Sequence, residues 1–382
     1  MGEETAKQYD LKQRNSGFYC FFISGICAIS SGVIVSLLQE QYGFDYGMTG
    51  TLLSLMNIGN LAAGFAAGIL PGRIGMKKTV GLLTIGYLAG YGLMALSGWM
   101  MILMLAFFLV GMAKGSTINT CTILIGENSE NRTRGMNLMH ACYAMGALLC
   151  PFIISAAGLV SVKFPMIVLG LIGSTLWFTF CMTSMEGKKK EKKGGTDWSF
   201  LKSRRFWLLT ALVFCQNAAE TSVTGWMVTY FKGSGILTGV LSTYTVTVMW
   251  MATLILRMIY SFVCPIRHAE SAMIKMGIGC TIFYFLLIQA KGPWMAIILL
   301  FAFAASMAGM NPTAVACAGR MTSVTSMGVM LPAASSGAIL MPWIIGIVAE
   351  RAGIEAGMAC NIVPCVGMLV LSFAAKRCVV ND

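Results

Sequence analysis

Two ionisable side chains lie deep in apolar segments of this chain. Lys114 follows the apolar stretch 99–112, which is shorter than the roughly 20 residues that a membrane crossing needs. The segment must therefore continue past the lysine, which places the ammonium roughly 16 Å from the nearer end, beyond the reach of a snorkelling lysine. Glu220 lies near the middle of another such segment. Charged groups at this depth face protein or a water-filled cavity, where they bind ions, exchange protons or pair with one another.

The lysine and the glutamate are expected at similar depth, and two interpretations stay open. They could form a structural salt bridge, since burying opposite charges together is the common way to tolerate them. They could instead form a working site, in which a ligand carboxylate or a proton competes for the pair. His140, which can titrate near neutrality, is a second candidate beside Glu220 for proton coupling.

Amide and aromatic residues at similar depth could complete a solute-binding site. The amides offer donors and acceptors suited to hydroxyl groups, although hydrogen bonds between helices are the alternative for each of them. The aromatic rings could provide a flat apolar wall for a sugar ring. The candidates are Asn57, Asn60, Asn119, Gln216, Asn217, Asn311, Tyr143, Trp226, Tyr230 and Trp250.

The composition excludes a soluble protein of this size. Hydrophobic residues make up 57% of the chain, charged residues only 11%, and the mean hydropathy is +0.76. The apolar runs long enough to span a bilayer predict an all-α membrane protein with twelve transmembrane helices. These runs are 18–38, 47–70, 79–98, 100–125, 137–160, 164–184, 206–230, 236–262, 272–290, 293–318, 324–348 and 354–375.

The distribution of charge predicts the orientation and the division of the chain. Most Lys and Arg residues fall on one side if both termini are cytoplasmic, so topology explains the net charge of +12 and no nucleic-acid partner is expected. Arg257, late in the eighth run, is expected to snorkel to the cytoplasmic surface. The polar segment 186–204 predicts a cytoplasmic linker between two six-helix bundles, 1–185 and 205–382.

The loop after the second run resembles a motif of the major facilitator superfamily. It reads Gly68-Ile-Leu-Pro-Gly-Arg-Ile-Gly-Met-Lys-Lys78, similar to the G-x-L-x-D-R-x-G-R-[RK] loop of that superfamily. Gly68, Arg73, Gly75, Lys77 and Lys78 match the pattern, and a glycine replaces the acidic residue. The resemblance implies the superfamily's fold, whereas the missing acid puts the charge contacts of this loop in doubt.

Two further segments resemble the fucose-permease-like branch. Residues 137–147 are similar to its N-L-x-H-x-x-x-x-x-G-A segment, and residues 220–230 to its E-x-S-x-x-x-W-x-x-x-Y segment. This resemblance implies a secondary transporter for sugars or related small solutes, with a central site and with protons or sodium as the driving ion. The acidic residues that such carriers keep in spans one and four are absent from 28–33 and 114–119, so the coupling chemistry does not carry over.

The leading functional prediction is ion-coupled uptake of a small polar solute at the cytoplasmic membrane. The solute would be a sugar, a sugar acid or another carboxylate, since Lys114 favours a negative group. The alternatives are an exporter of amphipathic, drug-like compounds and a membrane solute sensor that does not transport. The spans contain no HExxH or GxSxG motif, so no enzyme is predicted. We also expect no cofactor, no metal site, a monomer, and the lipid bilayer as partner.

Overall fold

The computed structural model describes residues 10–130, 132–185, 199–264, 266–319 and 324–381. Twelve helical spans follow one another within these ranges, which confirms the predicted all-helical membrane fold. Spans 1 to 6 are Leu11–Tyr42, Tyr46–Ile69, Met76–Leu96, Met100–Glu127, Arg132–Gly158 and Phe164–Met182. Spans 7 to 12 are Arg204–Gly233, 240–263, Ala269–Leu287, 293–319, Val324–Ala352 and 354–381.

Span 7 is less apolar than the others. Within the described ranges, 11 helices are long and apolar enough to cross a membrane by length and composition, and Arg204–Gly233 is not among them although it has 30 residues. It contains Gln216, Asn217 and Glu220, three of the predicted site residues. The lower hydropathy of span 7 is therefore a consequence of the polar residues that it carries.

The two halves of the chain repeat one packing pattern. Span 1 packs against span 5, span 2 against span 4 and span 3 against span 6, and the equivalent pairs 7 with 11, 8 with 10 and 9 with 12 recur in the second half. This arrangement gives two six-helix bundles related as parallel repeats. The predicted boundaries 1–185 and 205–382 stay a prediction, because residues 186–198 of the expected linker lie outside the described part of the chain.

Local polar contacts explain why span 1 begins earlier than its apolar run. The run starts near residue 18, whereas the helix starts at Leu11. The Asp10 side chain accepts hydrogen bonds from the backbone N–H groups of Lys12 and Gln13, at 2.9 and 3.0 Å. A capped polar turn therefore extends the helix beyond its hydrophobic part.

Among the described residues, spans 1, 3 and 10 are interrupted near the middle, and span 3 divides into Met76–Thr84 and Gly86–Leu96. In span 1, Leu11–Ile29 ends at Ser30, whose hydroxyl donates to the Cys27 carbonyl at 2.9 Å. In span 10, Pro293–Met307 ends at Ala308, and a second helix begins at Met310. Interrupted helices leave backbone carbonyls available for side chains or ligands, and in transporters they lie beside the solute site.

The two bundles are joined on the side of the membrane opposite the termini, here called the far side. Lys232 at the end of span 7 pairs with Glu40 at the end of span 1, with Nζ and Oε1 2.7 Å apart. Glu350 at the end of span 11 accepts a 2.9 Å hydrogen bond from the backbone N–H of Tyr46, at the start of span 2. Hydrogen bonds between the halves, among the residues described, are confined to the part of the fold nearer this side.

Glycine allows the backbones to touch at the same junction. A Cβ built on Gly32 of span 1 would lie 2.3 Å from the carbonyl oxygen of Thr224 in span 7. Gly50 and Gly346 bring spans 2 and 11 equally close, since a Cβ on either one would lie 3.0 Å from the Cα of the other. The structure is therefore closed toward the far side by contacts that larger residues could not make.

The loop that carries the superfamily motif follows span 2. A short helix, Pro71–Ile74, ends at Gly75, whose φ of 84° lies in the left-handed region that favours glycine. Arg73, Lys77 and Lys78 are exposed on this loop. None of these three belongs to an ion pair with another described residue, as the replacement of the acidic motif residue by glycine predicts.

Candidate solute-binding site

A cavity of about 300 Å³ lies between the two bundles. Both halves of the chain contribute to its wall, including residues beside the break in span 1. Most of the wall is apolar, with a few polar side chains that converge on it, as in other small-molecule sites. These polar side chains include Asn57, Lys114, His140, Glu220, Arg257 and Asn311.

Lys114 enters the cavity from span 4, which packs closely against span 2. A Cβ built on Gly111 would lie 1.9 Å from the Met56 carbonyl oxygen, and one on Gly115 would lie 2.4 Å from that of Asn60. Glycines on both sides of the lysine therefore fix span 4 against span 2 and fix where the ammonium projects. That ammonium has no hydrogen-bond or ion-pair partner among the described residues.

Glu220 reaches the same cavity from span 7. Its carboxylate is more than 4.0 Å from the Lys114 ammonium, so the two do not form an ion pair in this structure. The carboxylate instead accepts a hydrogen bond from the side-chain amide of Gln216, one turn earlier on the same helix. Of the two interpretations of this pair, the structural salt bridge is therefore not formed here, and both charges face the cavity.

Arg257 is a cavity residue that the sequence did not indicate. It was expected to snorkel to the surface, but span 8 continues as a π-helix, Ile259–Val263, which leaves the arginine more than a turn from the end. Its Nε donates a 3.2 Å hydrogen bond to the Ala308 carbonyl, at the break in span 10. Only the isolated position of an arginine in an apolar helix could have signalled this role.

Three amides form a connected group at the interface of spans 7, 10 and 11. Asn311 lines the cavity, and its Nδ2 donates to Gln216 Oε1 at 2.8 Å and to Asn217 Oδ1 at 3.3 Å. Asn217 in turn donates to the Ala334 carbonyl at 3.1 Å. Gln216 is only 1% exposed, and neither it nor Asn217 is among the cavity-lining residues. Both lie behind Asn311 and Glu220 and hold them in place.

The other predicted amides divide between cavity and helix contacts. Asn57 lines the cavity, and its Nδ2 donates to the Leu53 carbonyl of its own helix at 2.9 Å. Asn60 and Asn119 are half-buried and do not line the cavity as the described residues define it. The structure thus brings one of these three amides to the cavity.

The aromatic residues also divide into two groups. Tyr143 and Trp250 line the cavity with Phe21, and the rings of Tyr143 and Trp250 meet edge to face with centroids 5.5 Å apart. His140 lies beside them, 5.9 Å from the Phe21 ring. Trp226, in contrast, is fully buried, and its indole donates to the Pro342 carbonyl at 3.1 Å. It packs span 7 against span 11 and does not face the cavity.

Comparison with known proteins identifies the family of this chain. The model of the Major Facilitator Superfamily matches residues 17–342, most of the chain. The chain belongs to the Major Facilitator Superfamily. The family consists of membrane transporters, so the protein moves small solutes and is not an enzyme. Its cavity corresponds to the central site expected between two parallel repeats.

Individual relatives of this superfamily member are distant. The probable sulfoacetate transporter SauU of Cupriavidus necator is 23% identical over 239 residues, which are 56% of this chain and 55% of the relative. The match thus spans about half the length of that curated protein.

Solved structures share the fold over nearly the whole chain. The nucleoside transporter NupG has a TM-score of 0.74 at 14% identity and covers 96% of this chain and 98% of its own. A bacterial homologue of the human lysosomal transporter Spinster, in an inward-facing and occupied conformation, has a TM-score of 0.73 at 11% identity, with 96% of each chain covered. At these identities the likeness concerns the fold alone.

The cavity of this superfamily member carries more positive than negative groups. Lys114 projects from the N-terminal bundle and Arg257 from the C-terminal bundle, while Glu220 is the single carboxylate among the described lining residues. Two cations that line one cleft raise the local concentration of anions. The described lining therefore brings two cationic side chains and one carboxylate to a single cavity between the two bundles.

Proposed function

We propose that the protein is a secondary active transporter of a small organic anion, such as a sugar acid or another carboxylate. The two bundles, residues 1–185 and 205–382, would rock about the cavity and expose it to each side of the cytoplasmic membrane in turn. Both termini would lie in the cytoplasm, because that orientation places most Lys and Arg residues there. Transport would run inward.

The observation that carries this proposal is the pair of cations in one cavity. Lys114 lacks a partner among the described residues, and it lies across the cavity from the bundle that carries Arg257. An ammonium between membrane-spanning helices that has no direct hydrogen-bond or ion-pair partner is costly, and an anionic ligand reduces that cost. An anion held between the two cations would also draw the bundles together, which is what a carrier needs from its substrate.

The comparisons support the same class of solute. The relative SauU is named for sulfoacetate, which is a small organic anion. The segments that resemble fucose permeases support a hydroxylated solute, and a sugar acid combines both properties. The mixed polar lining and the volume of about 300 Å³ suit a small polar molecule better than an amphipathic drug.

Glu220 is our candidate for proton coupling, with His140 as the second. Both line the cavity beside the proposed anion site, so a proton on either one would offset negative charge brought by the solute. A carboxylate that can be protonated while the solute is bound links the two fluxes. Sodium coupling, or uniport with Lys114 as a fixed charge, would leave a proton gradient without effect.

Solute counterflow in proteoliposomes tests the proposal. A thermal-shift screen over gluconate, lactate, sulfoacetate, glucose and fucose first identifies ligands, because binding raises the apparent stability with the logarithm of ligand over Kd. We expect anions to stabilise the protein and to undergo counterflow. Stabilisation by neutral sugars alone would refute the anion site, and binding without counterflow would identify a sensor.

A further inference from the structure

The direction of hydrogen bonding in the amide group fixes which atom Asn311 presents to the cavity. Two ends of the group can only accept hydrogen bonds. One end is the backbone carbonyl of Ala334, and the other is Glu220 in its ionised form, a carboxylate without a proton to donate. A side-chain amide has one accepting oxygen and one NH2 with two hydrogens. The orientation of every amide between the two ends follows from these acceptors.

The two accepting ends determine how Asn217 and Gln216 are oriented, and these two amides in turn determine the orientation of Asn311. Asn217 must turn its NH2 toward Ala334, so its Oδ1 faces Asn311. Gln216 must turn its NH2 toward Glu220, so its Oε1 also faces Asn311. Both oxygens need a donor, and the Asn311 Nδ2 supplies it at 3.3 and 2.8 Å. Both hydrogens of the Asn311 amide are thereby used.

The remaining atom of this amide, Oδ1, can only accept. Asn311 lines the cavity, and no described residue donates to its Oδ1. The Glu220 carboxylate, which lines the same wall, is a second acceptor. The C-terminal side of the site thus offers acceptors from Asn311 and Glu220, and the cations Lys114 and Arg257, which suit the anionic end of a solute, line the same cavity.

We propose that Asn311 determines specificity for a hydroxyl group on the transported anion, so that the substrates are hydroxy acids or sugar acids. This inference rests on the proposed function, since it concerns the same solute and the same cavity. The hydroxyl donates to Asn311 Oδ1, while the carboxylate or sulfonate binds Lys114 and Arg257. A solute without that hydroxyl leaves the amide oxygen unpaired in the closed site, which is the kind of loss that rejects deoxy analogues.

Competition between matched anions tests the inference. The probes are glycolate against acetate, lactate against propionate, and gluconate against 2-deoxygluconate, so that the members of each pair differ by one hydroxyl; each probe competes with the labelled anion in counterflow. We expect at least one hydroxylated acid to compete about tenfold better than its deoxy partner, which corresponds to one neutral hydrogen bond. Deoxy acids that compete as well as their hydroxylated partners in every pair would overturn the inference.

Variants then locate the preference. Asn311→Leu removes the accepting oxygen and should bring the ratio within each pair close to one. Gln289→Leu, at an exposed amide on the end of span 9, serves as the control and should keep the wild-type ratio. A preference that survives in Asn311→Leu would also overturn the assignment. If that variant fails to fold, the wild-type comparison still decides whether hydroxyl groups are recognised.

The failure of this inference differs from the failure of the proposed function. If no anion of either kind competes, the anion site itself is wrong. If anions compete without regard to their hydroxyl groups, the anion site stands and only the role of Asn311 is refuted.

Discussion

Replacing Lys114 by methionine isolates the contribution of one charge to solute binding. Methionine keeps a long unbranched stem and removes the ammonium. The lysine has no ion-pair partner among the described residues, and Glu220 lies beyond 4.0 Å. The substitution therefore leaves no carboxylate stripped of a contact, and we expect Lys114→Met to fold.

The expected loss follows from a charge-assisted contact in a cavity between membrane-spanning helices. Two unit charges 4 Å apart attract by about 4 kcal/mol at an effective dielectric constant of 20. Desolvation of the anion offsets part of this, and charge-assisted hydrogen bonds contribute about 1.5–3 kcal/mol net. The Kd of an anionic solute should therefore rise by roughly 10- to 150-fold.

The assay compares the anion with its neutral amide, in Lys114→Met and in the wild type. The amide should bind the two proteins alike, because it lacks the charge that the lysine attracts. Lys291→Met, at an exposed lysine in a loop, is the matched control and should change neither affinity. Equal losses for the anion and the amide, together with recovery in the double variant with Glu220→Gln, would refute the anion site and favour a salt bridge formed in another conformation.

Two other substitutions address coupling and closure. Glu220→Gln should retain solute exchange and lose accumulation driven by a pH gradient, because the amide keeps the shape but cannot release a proton; unchanged accumulation would transfer the role to His140. Gly32→Ala should slow counterflow severalfold, since the added methyl would lie 2.3 Å from the Thr224 carbonyl and keep the far side from closing. The control is Gly64→Ala, because a Cβ at this position meets nothing within 4 Å, and this variant should transport like the wild type. Equal counterflow rates for the two alanine variants would contradict this account of closure.

The sequence predicts the fold because a bilayer imposes the length of each apolar run. The twelve runs appear as twelve helical spans, some of them divided into two helices, and polar residues extend a span beyond its apolar run, as at Asp10. The depth of Lys114 and Glu220 follows from the same counting. The exposure of Lys114 and Glu220 to one cavity does not follow from counting, because it depends on which face of each helix is turned inward. Packing contacts such as Gly111 against span 2 decide which face that is.

The residues around these two charges show where counting along a helix fails. Trp226 and Glu220 lie on one helix, yet the tryptophan packs against span 11 and the glutamate faces the cavity. Arg257 appeared close enough to a helix end to snorkel, but a π-helical extension and the break at Ala308 hold it inside. Gln216 reads as a ligand-binding amide in the sequence, whereas in the structure its NH2 donates to Glu220 one turn away and its oxygen accepts from Asn311, 95 positions away. The contacts between different spans are tertiary, and the periodicity of apolar residues in a single sequence does not predict them.

The contact between Glu350 and the start of span 2 has a consequence for the transport cycle. The carboxylate accepts from the N–H groups of Tyr46 and Gly47, at 2.9 and 3.5 Å, and so completes the cap of a helix that belongs to the other bundle. Each opening of the far side removes that cap and leaves two backbone donors to water. Losing a cap costs about 0.5–2 kcal/mol, and the exposed position of Glu350 places this one near the lower end. In the proposed cycle, the span 2 helix would therefore be fully capped only while the far side is closed, and the free energy of this cap would favour that state.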